Sequence, residues 1–141
     1  MVDFWLIPVN EAQFRKWVVA SIKKVGGHAS SVESHATSPG IPDVDYCING
    51  VSGHIELKVY GSKGLRQSQI LWFKHRIKAG GKPWILIYSV EGVYLIAGEH
   101  YRLVINMNQK EKLKWEMIAA QIWPTLPTPQ NLAIGLRTNQ P

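Results

Sequence analysis

Residues 40–60 read GIPDVDYCINGVSGHIELKVY, and this stretch decides the fold. Two hydrophobic runs flank Asn49-Gly50. In the first, Val44, Tyr46 and Ile48 alternate with Asp43, Asp45 and Cys47. In the second, Ile55, Leu57 and Val59 alternate with His54, Glu56 and Lys58. Alternation with period two marks half-buried strands, because successive side chains on a strand point to opposite faces. Asn-Gly accepts the left-handed backbone that a two-residue hairpin turn requires, and Gly53 lies just beyond it. The expectation is a hairpin with one apolar face and one face carrying Asp43, Glu56 and Lys58.

Outward from the hairpin, the chain alternates helical and strand patterns. Upstream, Asn10 is placed to cap a helix, with Gln13 as its capping-box partner. Phe14, Trp17, Val18, Ser21, Ile22 and Val25 follow at helical spacing. Arg15, Lys16, Lys23 and Lys24 lie off that stripe, and Gly26-Gly27 stops the helix. Residues 28–39, HASSVESHATSP, are polar and small, with a short strand expected near Ser31 to Ser34. Downstream, Gly61 to Gly64 breaks the strand, and RQSQILWFKHRIKA, residues 66–79, reads as a second helix ended by Gly80-Gly81. PWILIYSV is almost continuously apolar, as a strand buried on both faces is. GVYLIAG is a further strand, joined to it through Glu91-Gly92. Residues 110–122 read as a last helix, and from Pro124 the chain reads as loop, with four prolines in its last eighteen residues. The order helix, hairpin, helix, strand, strand, helix predicts an α/β fold. Its mixed β-sheet is flanked by helices in one domain over residues 1–123, followed by a Pro-rich tail over 124–141.

Composition narrows the class. With 45% hydrophobic residues, a chain of 141 can bury a real core. No apolar stretch reaches the roughly 20 residues needed to span a bilayer, so no membrane partner is expected. MVDFWLIPVN lacks the basic start of a signal peptide. Cys47 is the single cysteine, which excludes an intramolecular disulfide, argues against a cysteine-based zinc site and fits a reducing interior. The net charge of +6 biases the protein toward anionic partners such as nucleic acid, although many basic proteins have no such partner.

The chemical face of the hairpin gives that bias a direction. Glu56 and Lys58 share a face, and Asp43 opens the neighbouring strand where its side chain can turn to the same side. Two carboxylates that converge repel each other, and a divalent cation supplies a reason for the pair. Oxygen ligands of this kind suit Mg²⁺, which keeps several waters and takes one or two protein carboxylates together with substrate phosphate. Lys58 would orient the attacking water or offset developing negative charge.

Pro42-Asp43, twelve intervening residues and then Glu56-Leu57-Lys58 resembles the PD-(D/E)xK signature of restriction-endonuclease-like nucleases. The wider series resembles the VRR-NUC branch, with the archaeal-type Holliday junction resolvases as neighbours. That series is Gly40-Ile41-Pro42-Asp43, the hairpin, Ile55-Glu56-Leu57-Lys58, then a helix bearing Gln69 and Trp72. The match spans roughly residues 10 to 90. The resemblance implies a restriction-endonuclease-like fold and a Mg²⁺-dependent endodeoxyribonuclease, with Mn²⁺ able to substitute. It implies that Asp43, Glu56 and the main-chain carbonyl of Leu57 ligate the metal, that Lys58 serves the attacking water and that Gln69 supports the site. Glu11 matches an acid near the start of the first helix that joins the metal site in the resolvases. Gly40 and Pro42 would shape the turn that aims Asp43. The implied substrate is branched DNA, four-way junctions above all. Paired cuts there would suit a twofold homodimer. The implied setting is the cytoplasm of a bacterial cell, with a bacteriophage origin among the options.

Plainer readings compete at several positions. A Glu-x-Lys on a strand also occurs on solvated faces. Glu11 in a first helical turn favours the helix dipole by about 0.3 to 1 kcal/mol without any metal. Gln69 is compatible with a surface helix, and Asp45 reads as a solvated carboxylate. The spacing of His28, His35 and His54 matches no common metal motif; His35 is a candidate DNA contact. Lys63, Arg66, Lys74, Arg76, Lys78 and Lys82 form a basic run around the second helix, either a solvated face or a hold on the DNA backbone. Trp5 and Trp123 fall outside the core patterns, which leaves base stacking or a dimer face open to them. The functional alternatives are an endonuclease for flaps, nicks or a specific sequence (a restriction or homing type), a non-catalytic nucleic-acid-binding module of the same fold, and a structural subunit that docks an acidic partner.

Overall fold

The computed structural model of the protein describes residues 10–32, 39–61, 63–105 and 109–138. Trp5 and His35 lie outside the described residues. The elements run α1 (Glu11–Lys24), β1 (His28–Ser31), β2 (Val44–Ile48), β3 (Val51–Val59), α2 (Gln67–Lys78), β4 (Trp84–Ser89) and β5 (Gly92–Ala97). A 3₁₀ segment (Gly98–Val104), α3 (Gln109–Ile118), β6 (Ala119–Trp123) and α4 (Pro129–Arg137) follow. The strands form one sheet in the order β1-β2-β3-β4-β5-β6. β3 and β4 are parallel and every other neighbouring pair is antiparallel. A parallel pair needs a crossover, and α2 supplies it.

The hairpin forms as its alternation predicts. Ile48 pairs with Val51, and the turn residues Asn49 and Gly50 take φ of 49° and 80°. Both lie in the left-handed region that a tight hairpin turn requires. Upstream, the Asn10 side chain accepts a hydrogen bond from the Gln13 main-chain N–H at 2.9 Å, which caps α1.

The sheet separates two apolar layers. On one side, Phe14, Val18 and Ile22 of α1 pack against Val44, Tyr46, Ile55, Leu57, Trp84, Leu86 and Leu95. On the other, Phe73 of α2, Tyr101, Val104 and Trp115 pack against Ile85, Ile87, Tyr94 and Ile96. β4 and β5 feed both layers, which explains their continuous apolar sequences. Glu56 and Lys58 stand on the α2 side, and the same parity places Leu57 in the α1 layer.

Four expectations need correction. Residues 110–122 are not one helix: α3 ends at Ile118, and Ala119–Trp123 forms β6. Ala and Gln favour helix locally, but β5 would otherwise leave an unpaired edge among buried groups. Trp123 pairs with Val93 and belongs to the α1-side core, so it is neither a stacking platform nor an exposed dimer face. The chain after Pro124 is not all loop. Thr128 caps α4 by accepting from the Asn131 main-chain N–H at 3.1 Å, and Pro129 sits in the first turn. Leu132, Ala133 and Leu136 then join the core, and the Tyr46 hydroxyl donates to the Leu136 carbonyl at 3.3 Å. The early strand starts at His28, ahead of the expected Ser31, because Ala29 pairs with Tyr46 and buries beside it; residues 33 and 34 of the expected strand lie outside the described residues.

Candidate active site

The paired ladder between β2 and β3 runs from Ile48–Val51 to Val44–Ile55 and stops there. One residue further on, the main-chain N–H of Leu57 donates to Asp43 Oδ2 at 2.9 Å instead of to a strand carbonyl. The main chain of Asp43 meanwhile accepts from the Val32 N–H at 2.8 Å. Asp43 therefore sits where two strands part, with its carboxylate fixed against β3. In an extended strand, the N–H and C=O of one residue point to the same edge. The Leu57 carbonyl is thus directed to the Asp43 side as well.

Gly40 explains how the preceding turn reaches this place. Its φ is +87°, and a Cβ there would overlap the Ser68 carbonyl at the start of α2. Glycine lets the loop rest on the helix and turn toward Asp43. Pro42 is buried behind it.

Glu56 is 1% exposed, Lys58 5% and Gln69 4%, so three polar side chains share one nearly dry space. Gln69 links the other two. Its Nε2 donates to Glu56 Oε2 at 2.9 Å, and its Oε1 accepts from Lys58 Nζ at 3.2 Å and from the Arg66 main-chain N–H at 2.9 Å. Lys58 Nζ also lies 3.5 Å from Glu56 Oε2. The glutamine is satisfied on both ends and holds the acid and the ammonium in fixed positions.

Glu56 Oε1 is buried without a hydrogen-bond partner. Burial pushes the Glu56 carboxyl well above the usual carboxylate range; the negative charge of Asp43 adds to the rise, Lys58 opposes it, a side-chain hydrogen bond with Asp43, open to Glu56 once it is protonated, raises it further, and Glu11 contributes a smaller upward effect. A buried carboxylate oxygen with no hydrogen-bond donor, beside a second carboxylate and a main-chain carbonyl, is the donor set of a hard divalent cation that keeps part of its water shell. The residues present fit such an ion. Among the described residues, no three His, Cys, Asp or Glu side chains gather into one metal-binding group. Glu11 stands half-buried at the first position of α1 and acts on Glu56 through its charge, but it does not close with Asp43 and Glu56 into a triad.

The structure divides the other candidates. Arg66 is the N-cap residue of α2, and its N–H meets Gln69 beside the site. Lys74 and Lys78 are exposed one turn apart on the outer flank of α2, and Lys63 is exposed just after β3. Arg76 faces the hairpin, with its guanidinium 4.6 Å from the centre of the Trp72 ring. Asp45 is exposed and lies opposite His54 in the ladder. His54 meets the Trp72 ring edge-on at 5.3 Å, and burial together with Arg76 lowers its pKa. His28 is exposed on β1 at the far end of the hairpin register, so it forms no cluster with His54. The sequence reading passed over the grouping of Asp45, His54, Trp72 and Arg76. The shared parity of His54 and Glu56 and the i, i+3, i+7 spacing of Gln69, Trp72 and Arg76 carried that signal.

No protein-family model matches the chain, and no curated protein is similar to it in sequence. Among solved structures, the chain is similar to Hjc, a Holliday junction resolvase from the archaeal hyperthermophile Archaeoglobus fulgidus. The identity is 15% and the TM-score 0.50, over 62% of this chain and 77% of that one. It is also similar, at 14% identity and a TM-score of 0.40, to a DrdV–DNA complex, over 92% of this chain and 12% of that one. The mixed sheet flanked by helices, the α/β architecture expected from the sequence, matches the fold of the Hjc resolvase over the shared region.

Proposed function

We propose that the protein is a metal-dependent endodeoxyribonuclease of the PD-(D/E)xK type, with branched DNA as its substrate. The observation that carries this reading is the buried Glu56–Gln69–Lys58 linkage, with Glu56 Oε1 left without a partner beside Asp43. A stabilising surface has no use for an orphaned carboxylate oxygen. A phosphodiesterase does.

Asp43, Glu56 and the Leu57 carbonyl would hold Mg²⁺ or Mn²⁺, which lowers the pKa of water and neutralises phosphate charge when bound. Lys58, fixed by Gln69, orients the attacking water and offsets the negative charge that grows on the phosphate oxygens. The water oxygen bonds to phosphorus as the bond from phosphorus to the 3′ oxygen breaks. One water proton stays with the new 5′-phosphate until it ionises, and the other ends on the 3′ hydroxyl. Glu11 adds negative potential at the mouth of the site. Arg66 stands close enough to the linkage to meet the DNA backbone, and Lys63, Lys74 and Lys78 extend the positive field. These cations would give affinity that falls with salt, with a slope of about −0.9 per phosphate neutralised. The Hjc likeness in fold supports the junction as substrate, and a homodimer would deliver its paired cuts.

The test is cleavage of a labelled four-way junction and a matched linear duplex in Mg²⁺, Mn²⁺ or EDTA. Paired symmetric cuts in the junction, abolished by EDTA, are expected. Metal-dependent cutting confined to flaps, nicks or one duplex sequence would replace the junction with that substrate. Binding without cutting of any DNA would reject the nuclease.

A further inference from the structure

The chemical face of the hairpin does not end at Glu56. Two residues back along β3, about 7 Å at the rise of a strand, stands His54. Beyond it opens a cleft of about 260 Å³ lined by Asp45, Ser52, His54, Arg76 and Lys82, together with the glycine and proline backbone at its rim. The opposite wall is α2, where Arg76 is two turns past Gln69, about 10 Å along the helix axis. The cleft and the candidate active site thus follow one another along β3 and α2.

Arg76 is built into this wall. Its guanidinium lies over Trp72, whose ring edge in turn meets His54. Its stem runs against Gly81, where any Cβ would overlap the Arg76 Cδ and Cγ. The Gly81 N–H donates to the Arg76 carbonyl at 2.9 Å, which folds the α2–β4 loop back onto the residue. A guanidinium stacked on an aromatic ring, on a stem packed against a glycine, has lost part of its freedom already, so it can form paired hydrogen bonds at lower entropic cost. Lys82 follows from the same loop. Arg76 and Lys82 outnumber Asp45, the one carboxylate on the lining, and Ser52 adds a hydroxyl. A polar, net-positive cleft with a fixed guanidinium suits a phosphate.

We propose that this cleft is a second phosphate subsite, in which Arg76 and Lys82 grip a backbone phosphate next to the one at the candidate active site. The inference rests on the nuclease reading and adds a direction to it. The bound strand runs along β3 from Lys58 toward the hairpin turn. The grip sets where that strand lies, and therefore which bond faces Asp43 and Glu56.

The test measures binding in EDTA, so that it does not depend on cutting. Duplex and junction DNA would carry single neutral methylphosphonates at successive positions, and affinity would be read by fluorescence anisotropy across a salt series. For the wild type, neutralising one phosphate beside the central position weakens binding about tenfold. Arg76→Ala removes the sensitivity at that position and lowers the salt slope by about 0.9. Arg76→Lys keeps the slope and loses the positional preference. Lys23→Ala, on the exposed end of α1 across the sheet, leaves both unchanged. Arg76 is exposed, and matched thermal unfolding would confirm that its variants fold. An Arg76→Ala protein with the wild-type interference pattern and slope overturns the subsite, whether or not the enzyme cuts. A wild type that cuts no DNA when Mg²⁺ or Mn²⁺ is added, with the Arg76 pattern present in EDTA, overturns the nuclease reading and keeps the subsite.

Discussion

Replacing Gln69 with Leu tests how the buried linkage is held. The substitution keeps most of the volume and removes three hydrogen bonds: to Glu56 Oε2 at 2.9 Å, from Lys58 Nζ at 3.2 Å and from the Arg66 N–H at 2.9 Å. Two of these involve ionisable partners and are each worth about 1.5 to 3 kcal/mol, and the third about 1. The full sum overstates the loss. Lys58 and Glu56 still face each other at 3.5 Å, and Arg66 is exposed, so water can reach its N–H. A loss of about 3 kcal/mol remains. Urea unfolding in EDTA would show it as a midpoint lower by about 1 to 2 M at an unchanged slope, given the usual slope for a small domain. Gln67→Leu, two residues earlier and exposed, should stay within about 0.5 kcal/mol. A Gln69→Leu loss below about 1 kcal/mol would refute the reasoning, because it would mean the three contacts are replaced by water and the site is not dry.

The Glu56 carboxyl, raised in the folded state, makes a pH prediction. Such a group stabilises the fold while protonated; that stability is complete below the unfolded pKa and is lost as pH rises through the folded one. Without metal, the protein should lose stability as pH rises above the ordinary carboxylate range in thermal unfolding, and millimolar Mg²⁺ should restore it. Gly40→Ala combines a positive φ with overlap on the Ser68 carbonyl. It should cost roughly 1 to 3 kcal/mol in urea unfolding and weaken divalent binding, because the loop that aims Asp43 can no longer rest on α2. Trp123→Ala should cost about 3 to 5 kcal/mol, as for a large core side chain, whereas an exposed tail residue would cost almost nothing.

The central fold was legible because it rests on local patterns. Period-two alternation around Asn49-Gly50 set the hairpin, its faces and the position of Glu56 beside Lys58. Helical spacing ended by paired glycines set α1 and α2. The errors share a physical cause. Ala119–Trp123 has no strand signature of its own and becomes one by pairing with β5. α4 is short, begins among prolines and is held by the core contacts of Leu132 and Leu136 rather than by its own propensity. At the candidate site, the structure brings together Asp43, Glu56, Lys58 and Gln69, which the sequence had singled out, but their contacts were not readable. The sequence pointed to Gln69 as support, but not to its simultaneous grip on Glu56, Lys58 and the Arg66 N–H. It could not show that Asp43 anchors on the Leu57 N–H, since that depends on where two strands part.

The most direct test separates metal holding from chemistry. Mn²⁺ binding and DNA cleavage would be measured on the wild type, Glu56→Gln and Lys58→Met. The account predicts metal-dependent cleavage by the wild type, loss of both binding and cleavage in Glu56→Gln, and retained binding with lost cleavage in Lys58→Met. Cleavage that survives in Lys58→Met, or Mn²⁺ affinity that is the same in Glu56→Gln and the wild type, would contradict it.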